Sequence, residues 1–141
     1  MSNPPTPAEV DHLKMIQANI DRMNRCSFEC KKWSVGLVAA LLAVAAGTKP
    51  YLAFFGVVAA LIFLCLDAYY LWLERGFRNL YNRVRLGEEP SPFLMVPTDH
   101  LDPDTCSEDD YWIVLVSKTV IWVHLPVLAG AIIVGWMGCA S

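Results

Sequence analysis

The chain has 141 residues, of which 55% are hydrophobic and 18% are charged, and its formal net charge is −3. This composition is too apolar for an ordinary soluble domain, which excludes that class and favours a membrane protein. We therefore predict one helical membrane domain covering residues 1–141, with an all-α fold and three transmembrane helices.

Residues 7–32 are predicted to form an amphipathic cytosolic helix with a defined start. Thr6 is the expected N-cap, Pro7 takes the first helical position, and Glu9 completes a capping box. An apolar stripe at spacings of three and four follows, formed by Leu13, Ile16, Ile20 and Met23. No proline or glycine interrupts this segment, so we expect the helix to run unbroken into the first span.

Three apolar blocks are predicted to cross the bilayer, at residues 33–48, 50–73 and 111–138. A helix needs about 20 mostly apolar residues to span the hydrocarbon core, and each block reaches that length with modest help from its flanks. The first block also contains "LLAVAAG", which resembles a signal-peptide cleavage site. A long polar segment precedes it and a second apolar block follows at once, so a retained span is favoured.

The first two spans are predicted to pair as an antiparallel hairpin of long helices that extends into the cytosol. Residues 74–85 continue the second helix past the membrane and carry a cytosolic basic face of Arg75, Arg78, Arg83 and Arg85. Because basic residues mark the cytoplasmic side, we expect a cytoplasmic N-terminus and a periplasmic C-terminus. Small residues predicted to support close helix packing are Gly36, Ala39, Ala40, Ala43 and Gly47 on the first span, and Gly56 and Ala60 on the second.

Residues 86–110 form an acidic cytosolic loop in this interpretation. The segment holds eight acidic residues and four prolines but no lysine or arginine. Such a segment is either partly disordered or functional, and its "FLMVP" motif could dock against the cytosolic helix extensions. Its negative charge fits either an internal clamp on the nearby arginines or a surface for a basic partner.

Ionisable residues inside the apolar blocks are the main candidates for function. Asp67 and Lys118 are each expected to lie about six or seven residues inside the cytosolic boundary, or ~9 Å deep. A buried charge is costly, so we predict that these two side chains pair or share a small polar network. The predicted intramembrane polar network comprises Asp67, Tyr70, Glu74, Ser117, Lys118, Thr119 and His124. Such a network could conduct ions or protons, act as a conformational lock, or simply fix the third span on the hairpin.

No catalytic or cofactor motif is recognisable, so we expect no enzymatic activity, no cofactor and no metal. Cys26 and Cys30 lack the further ligands of a metal site and are interpreted as reduced thiols. His100, with Asp99 and Asp102, could bind a divalent cation, although acidic loops with one histidine are common.

Three motif groups resemble a family of small, mostly uncharacterised bacterial membrane proteins: RM, SF and KxW before the first span, LDAYYL, ER and FRxLY leaving the second, and SKT in the third. In this chain these are Arg22, Met23, Ser27, Phe28, Lys31 and Trp33; residues 66–71, Glu74, Arg75, Phe77, Arg78, Leu80 and Tyr81; and Ser117, Lys118 and Thr119. The resemblance implies a bacterial inner-membrane location. It also implies a genomic association with phage-defence genes, where small helical membrane proteins act as effectors.

Three functions are consistent with these features. The first is an oligomeric effector that perturbs or permeabilises the membrane when a cytosolic partner or signal triggers it, in antiviral defence. The second is a non-enzymatic membrane anchor or scaffold for a soluble partner, and the third is a constitutive small transporter or channel subunit. The expected partners are the lipid bilayer, further copies of the chain and a cytosolic protein, but not nucleic acid.

Overall fold

The computed structural model describes residues 6–88, 93–96 and 108–139, and every regular element within them is helical. The elements are α1 (Pro7–Gly47), a short 3₁₀ turn (Pro50–Leu52), α2 (Ala53–Leu86), α3 (Glu108–Leu115) and α4 (Lys118–Cys139). Three of these helices, α1, α2 and α4, are long and apolar enough to cross a membrane.

Helix α1 begins as the sequence predicts. The Thr6 side chain accepts a hydrogen bond from the Glu9 backbone, and the Glu9 carboxylate accepts one from the Thr6 backbone at 2.7 Å. This reciprocal pair satisfies two backbone donors that the first helical turn leaves without partners. The helix then continues for 41 residues without a break, so its polar and apolar parts form one rod.

Helix α2 is equally continuous, covering 34 residues of the predicted second span and its polar extension. It ends at Gly87, whose φ of 72° lies in the left-handed region that glycine adopts without steric cost. The backbone N–H groups of Gly87 and Glu88 donate to carbonyls of the last turn, which closes the helix.

Helices α1 and α2 pack along each other through two apolar clusters. Near the start of α1 and the end of α2 lies the polar-end cluster, whose buried members are Ile16, Ile20, Met23, Phe77 and Leu80. The second cluster joins Val38 of α1, Ala60 of α2 and Ala131 of α4. Residues early in α1 therefore contact residues late in α2, and Val38, later in α1, contacts Ala60, earlier in α2. Helix α4 joins the other two at the second cluster.

The predicted third span is not one helix. Helix α3 ends at Leu115, and α4 begins at Lys118 after a turn at Val116 and Ser117. The backbone N–H groups of Val120 and Ile121 both donate to the Ser117 carbonyl. Ser117 therefore occupies the position before the first turn of α4, where serine is favoured over helix interiors. The block predicted as the third span, residues 111–138, is therefore divided between α3 and α4.

Small residues of α1 and α2 have different surroundings. Gly56 and Ala60 are buried, and a Cβ built on Gly56 would lie 3.5 Å from Val38 Cγ1 and 3.7 Å from Ala131 Cβ. The predicted packing residues of α1 are instead all exposed in the single chain: Gly36, Ala39, Ala40, Ala43 and Gly47. The face of α1 that packs inward carries Ser34, Val38 and Ala45. Of the predicted packing residues, Gly56 and Ala60 therefore pack within the chain, and those of α1 lie on its exposed side.

Candidate functional site

The central residue of the candidate site is Asp67, whose side chain is fully buried at 0% exposure in the middle of α2. Two side chains of α1 contact the same carboxylate oxygen, Oδ1. Ser27 donates from its hydroxyl at 2.5 Å, and the Lys31 ammonium donates at 2.5 Å. Lys31 also donates to the Ser27 hydroxyl at 2.8 Å, so these three side chains form a closed triangle. Each buried charge thus has an opposite charge and a hydrogen bond.

The other carboxylate oxygen of Asp67 faces α4. His124 is also fully buried, and its Nε2 lies 3.3 Å from Asp67 Oδ2. The two atoms are within ion-pair distance, but their orientation makes no hydrogen bond, and neither finds another partner among the described residues. We therefore treat this contact as electrostatic. On its opposite side, His124 Nδ1 lies 3.3 Å from the hydroxyl of buried Ser34 on α1.

The geometry of the site follows from helical spacing. Ser27, Lys31 and Ser34 are separated by four and three residues, so they lie on one face of α1. That face meets Asp67 of α2 and His124 of α4. The result is a buried polar cluster, which we define as Ser27, Lys31, Ser34, Asp67 and His124, with members on all three candidate membrane-spanning helices.

The predicted pairing of Asp67 with Lys118 is wrong. Lys118 is exposed at the first position of α4, and Lys31 supplies the counter-charge from α1. The residue of α4 that reaches Asp67 is His124, six residues after Lys118. The spacing of four between Ser27 and Lys31 places both on one helix face, but positive charge near the end of a span is also the signal that predicts topology.

The remaining residues of the predicted polar network do not join this cluster. Tyr70 packs against the polar-end cluster. Glu74 is buried at 5% exposure and pairs with Arg78 one turn later on α2, at 2.6 Å. Ser117 and Thr119 contact each other through their hydroxyls at 3.3 Å. The structure therefore brings together Asp67 and His124 of the predicted set.

The predicted basic face of α2 is largely exposed. Arg75, Arg78 and Arg85 are exposed, whereas Arg83 is half-buried. Because Arg78 is held by Glu74, its charge is partly neutralised within the helix.

Part of the acidic segment docks as its apolar motif predicts. Leu94 and Met95 pack against the polar-end cluster, and Phe93 lies with its ring centroid 5.6 Å from that of His12. The buried His12 ring also lies 2.8 Å from the Leu94 carbonyl through Nε2, and donates there when that nitrogen carries a hydrogen. Sequence reasoning missed His12. This residue lies one helical turn before Ile16 and is buried on the same face of α1.

The predicted cation ligands Asp99, His100 and Asp102 lie outside the described residues, as do most of the acidic side chains proposed for a clamp. Within the described part of the chain, no group of three or more histidine, cysteine or acidic side chains is arranged to hold a metal ion.

The cluster is poorly arranged for nucleophilic attack. Ser34, His124 and Asp67 follow each other in the order found in serine hydrolases. Ser34 is fully buried at 0% exposure, however, and the cleft described beside the cluster is lined by Ser27 and Lys31 rather than by Ser34. A substrate therefore has no approach to Ser34 through that cleft. The arrangement instead places two titratable groups and one fixed cation on three different helices.

These features define a class: an all-helical protein with three helices long and apolar enough to span a membrane, joined at a buried polar cluster. No protein-family model, curated protein or solved structure matches the chain.

Proposed function

We propose that the protein is a small bacterial inner-membrane effector, in which α1 and α2 form an antiparallel hairpin that extends into the cytosol and α4 forms the third span. In this proposal a cytosolic partner or signal acts on the hairpin and the protein then perturbs the bilayer, in antiviral defence. The observation that carries it is the buried polar cluster, because one fully buried carboxylate joins all three spans.

Membrane insertion is supported by the surface of the three helices. Large apolar side chains are exposed along all of them, including Trp33, Phe55, Trp122, Leu125 and Trp136. Exposed apolar surface of this extent favours a lipid environment over water. Basic residues of α1 and α2 at the polar end support a cytoplasmic N-terminus and a periplasmic C-terminus.

A change of state is supported by the way α4 is held. Helix α4 is held by the contacts of His124 with Asp67 and Ser34 and by apolar packing around Ala131. The polar contacts have discrete alternatives, because Asp67 contacts Lys31 through one carboxylate oxygen and His124 through the other. A change in either contact can therefore change how α4 is held.

Self-association is supported by the exposed ridge of α1, defined as Gly36, Ala39, Ala40, Ala43 and Gly47. Small residues at this spacing allow close backbone approach between helices in lipid. In the proposed oligomer the ridge contacts another copy rather than α2.

The test is membrane potential and dye entry in bacteria expressing the wild type or Asp67→Asn, alone and together with the neighbouring genes of its chromosome. We expect the wild type to depolarise the membrane only when the neighbouring genes are present. Asp67→Asn should change the size of that depolarisation, in cells whose membranes contain equal amounts of the two proteins. Depolarisation that never occurs in a triggered system would contradict the effector function.

A membrane anchor for a soluble protein is the second candidate, favoured by a separate observation. A cleft of about 280 Å³ lies between α1 and α2 at their polar end. Its lining is mostly polar and includes Gln17, Asp21, Asn24, Arg78 and Asn82. The lining thus combines neutral amide side chains with one acidic and one basic residue, Asp21 and Arg78. Such a mixture suits hydrogen bonding to a protein surface. Affinity capture of one stoichiometric partner that Asn82→Ala weakens, with no change in permeability, would favour this function.

A further inference from the structure

A second cleft, of about 190 Å³, opens beside the polar cluster where α1, α2 and the start of α4 meet. It is lined by Asn24, Ser27, Phe28, Lys31, Leu71 and Thr119. In the proposed topology it lies at the cytosolic boundary of the bilayer, because Asn24 and Leu71 lead toward the polar ends of α1 and α2. We refer to it as the boundary cleft.

The lining combines hydrogen-bond donors with apolar walls. An ammonium group has three donors, and Lys31 directs two of them to Asp67 and Ser27, which leaves one for a further acceptor. The Thr119 hydroxyl adds another donor, and Phe28 and Leu71 supply apolar surface. This pairing of donors and hydrocarbon suits a molecule with an oxygen-rich head and an apolar body.

The charges around the boundary cleft favour an anionic occupant. Two nearby acids are already paired with specific bases: Glu29 with Lys32 and Glu74 with Arg78. By contrast, Arg25, Arg75 and Lys118 show no acidic partner among the described side chains. Arg25 follows Asn24, Arg75 lies one helical turn beyond Leu71, and exposed Lys118 precedes Thr119. These three residues, which we call the rim, therefore add positive charge within one helical turn of the lining.

We propose that the boundary cleft binds the phosphate and glycerol backbone of an anionic phospholipid, with one acyl chain along Phe28 and Leu71. Lys31 and Thr119 donate to the phosphate oxygens, and the unpaired cations of the rim attract the negative headgroup. The inference rests on the proposed membrane insertion. It gives the bound lipid a position directly against the Lys31 and Asp67 pair, so lipid occupancy biases the state of the polar cluster.

The experiment is native mass spectrometry of the purified full chain, titrated with phosphatidylglycerol or with phosphatidylcholine of the same acyl chains. The wild type is expected to retain one phosphatidylglycerol with about tenfold higher affinity than phosphatidylcholine, because both lipids carry the phosphate but the cations of the rim repel the choline cation. Leu71→Trp, which fills the boundary cleft without changing any charge, is expected to abolish this preference. The matched control is Leu66→Trp, since Leu66 is 41% exposed on the same helix and does not line the cleft.

Thr119→Val keeps the side-chain shape and is expected to weaken phosphatidylglycerol binding severalfold, which covers the case in which Leu71→Trp does not fold. Equal binding of both lipids by the wild type, or an unchanged affinity for phosphatidylglycerol in both cleft variants, would overturn the proposal. Competition by inorganic phosphate at equal concentration would identify a free anion as the ligand and also overturn it. Alkaline extraction of membranes separates this test from the proposed function, because a chain that is extracted is not inserted at all.

Discussion

Replacing Lys31 by methionine is expected to destabilise the protein more than replacing Asp67 by asparagine. The two side chains form one ion pair, but Asp67 is 0% exposed whereas Lys31 is 19% exposed. Lys31→Met leaves a carboxylate in the interior with the Ser27 hydrogen bond and the imidazole of His124 beside it. Removing one partner of a buried pair costs about 3–5 kcal/mol. We expect the lower end, ~3 kcal/mol, because the site lies beside the open boundary cleft.

Asp67→Asn removes the charge but keeps the shape and an acceptor oxygen. The Lys31 ammonium can then turn toward the boundary cleft, where it already has some exposure. We expect a loss of about 1–2 kcal/mol, the cost of weakening hydrogen bonds to a charged group. The double variant should lose less than the sum of the single ones, because no charge is left unpaired.

The measurement is the free energy of unfolding in mixed micelles, followed by far-ultraviolet circular dichroism during titration with a denaturing detergent. Lys32→Met is the matched control, because Lys32 forms an exposed pair with Glu29 and such pairs contribute about 0–1 kcal/mol. An equal or larger loss of stability in Asp67→Asn than in Lys31→Met would refute a charged, buried Asp67.

Two further predictions concern packing and docking. Gly56→Leu should destabilise the protein by about 1–3 kcal/mol, because a Cβ at Gly56 would lie within 4 Å of Val38 and Ala131. Gly36→Leu should be near neutral in the monomer, because nothing lies within 4 Å of a Cβ at Gly36. Thermal unfolding in detergent compares the two variants, and equal effects would contradict this packing. His12→Ala should release the Leu94 carbonyl at a cost of about 1–3 kcal/mol and speed amide hydrogen exchange at residues 93–96. Unchanged exchange there would show that the docking does not depend on His12.

The sequence predicts elements whose signals are local. The start of α1 at Thr6 depends on a capping pattern of four residues, and the three apolar helices depend on composition alone. The partner of Asp67 could not be predicted from local signals, because it depends on how far each helix is shifted along the others. Lys118 and His124 lie on the same helix six residues apart, and it is His124 that lies opposite Asp67.

The exposed α1 ridge also shows what the sequence pattern does not predict, namely which face of α1 packs inward. Alanine and glycine at spacings of three and four predict close packing, but they occur on more than one face of an alanine-rich helix. Polar side chains decide between the faces, because Ser34 must find a partner in the interior, and it finds His124. The inward face of α1 therefore follows the serines and Val38, and the ridge is left on the outside.

Two unbroken helices connect the polar-end cluster to Asp67, and this continuity separates the effector function from the anchor function. Ile20 and Ser27 lie on one rigid helix, and Leu80 and Asp67 lie on another. A partner that slides α1 along α2 at the polar end must also move Ser27 and Lys31 relative to Asp67, since neither helix has a hinge between these points. An effector requires that coupling, so variants of the polar cluster should change both stability and triggered permeability. An anchor does not, and the same variants should then change stability alone while partner capture persists.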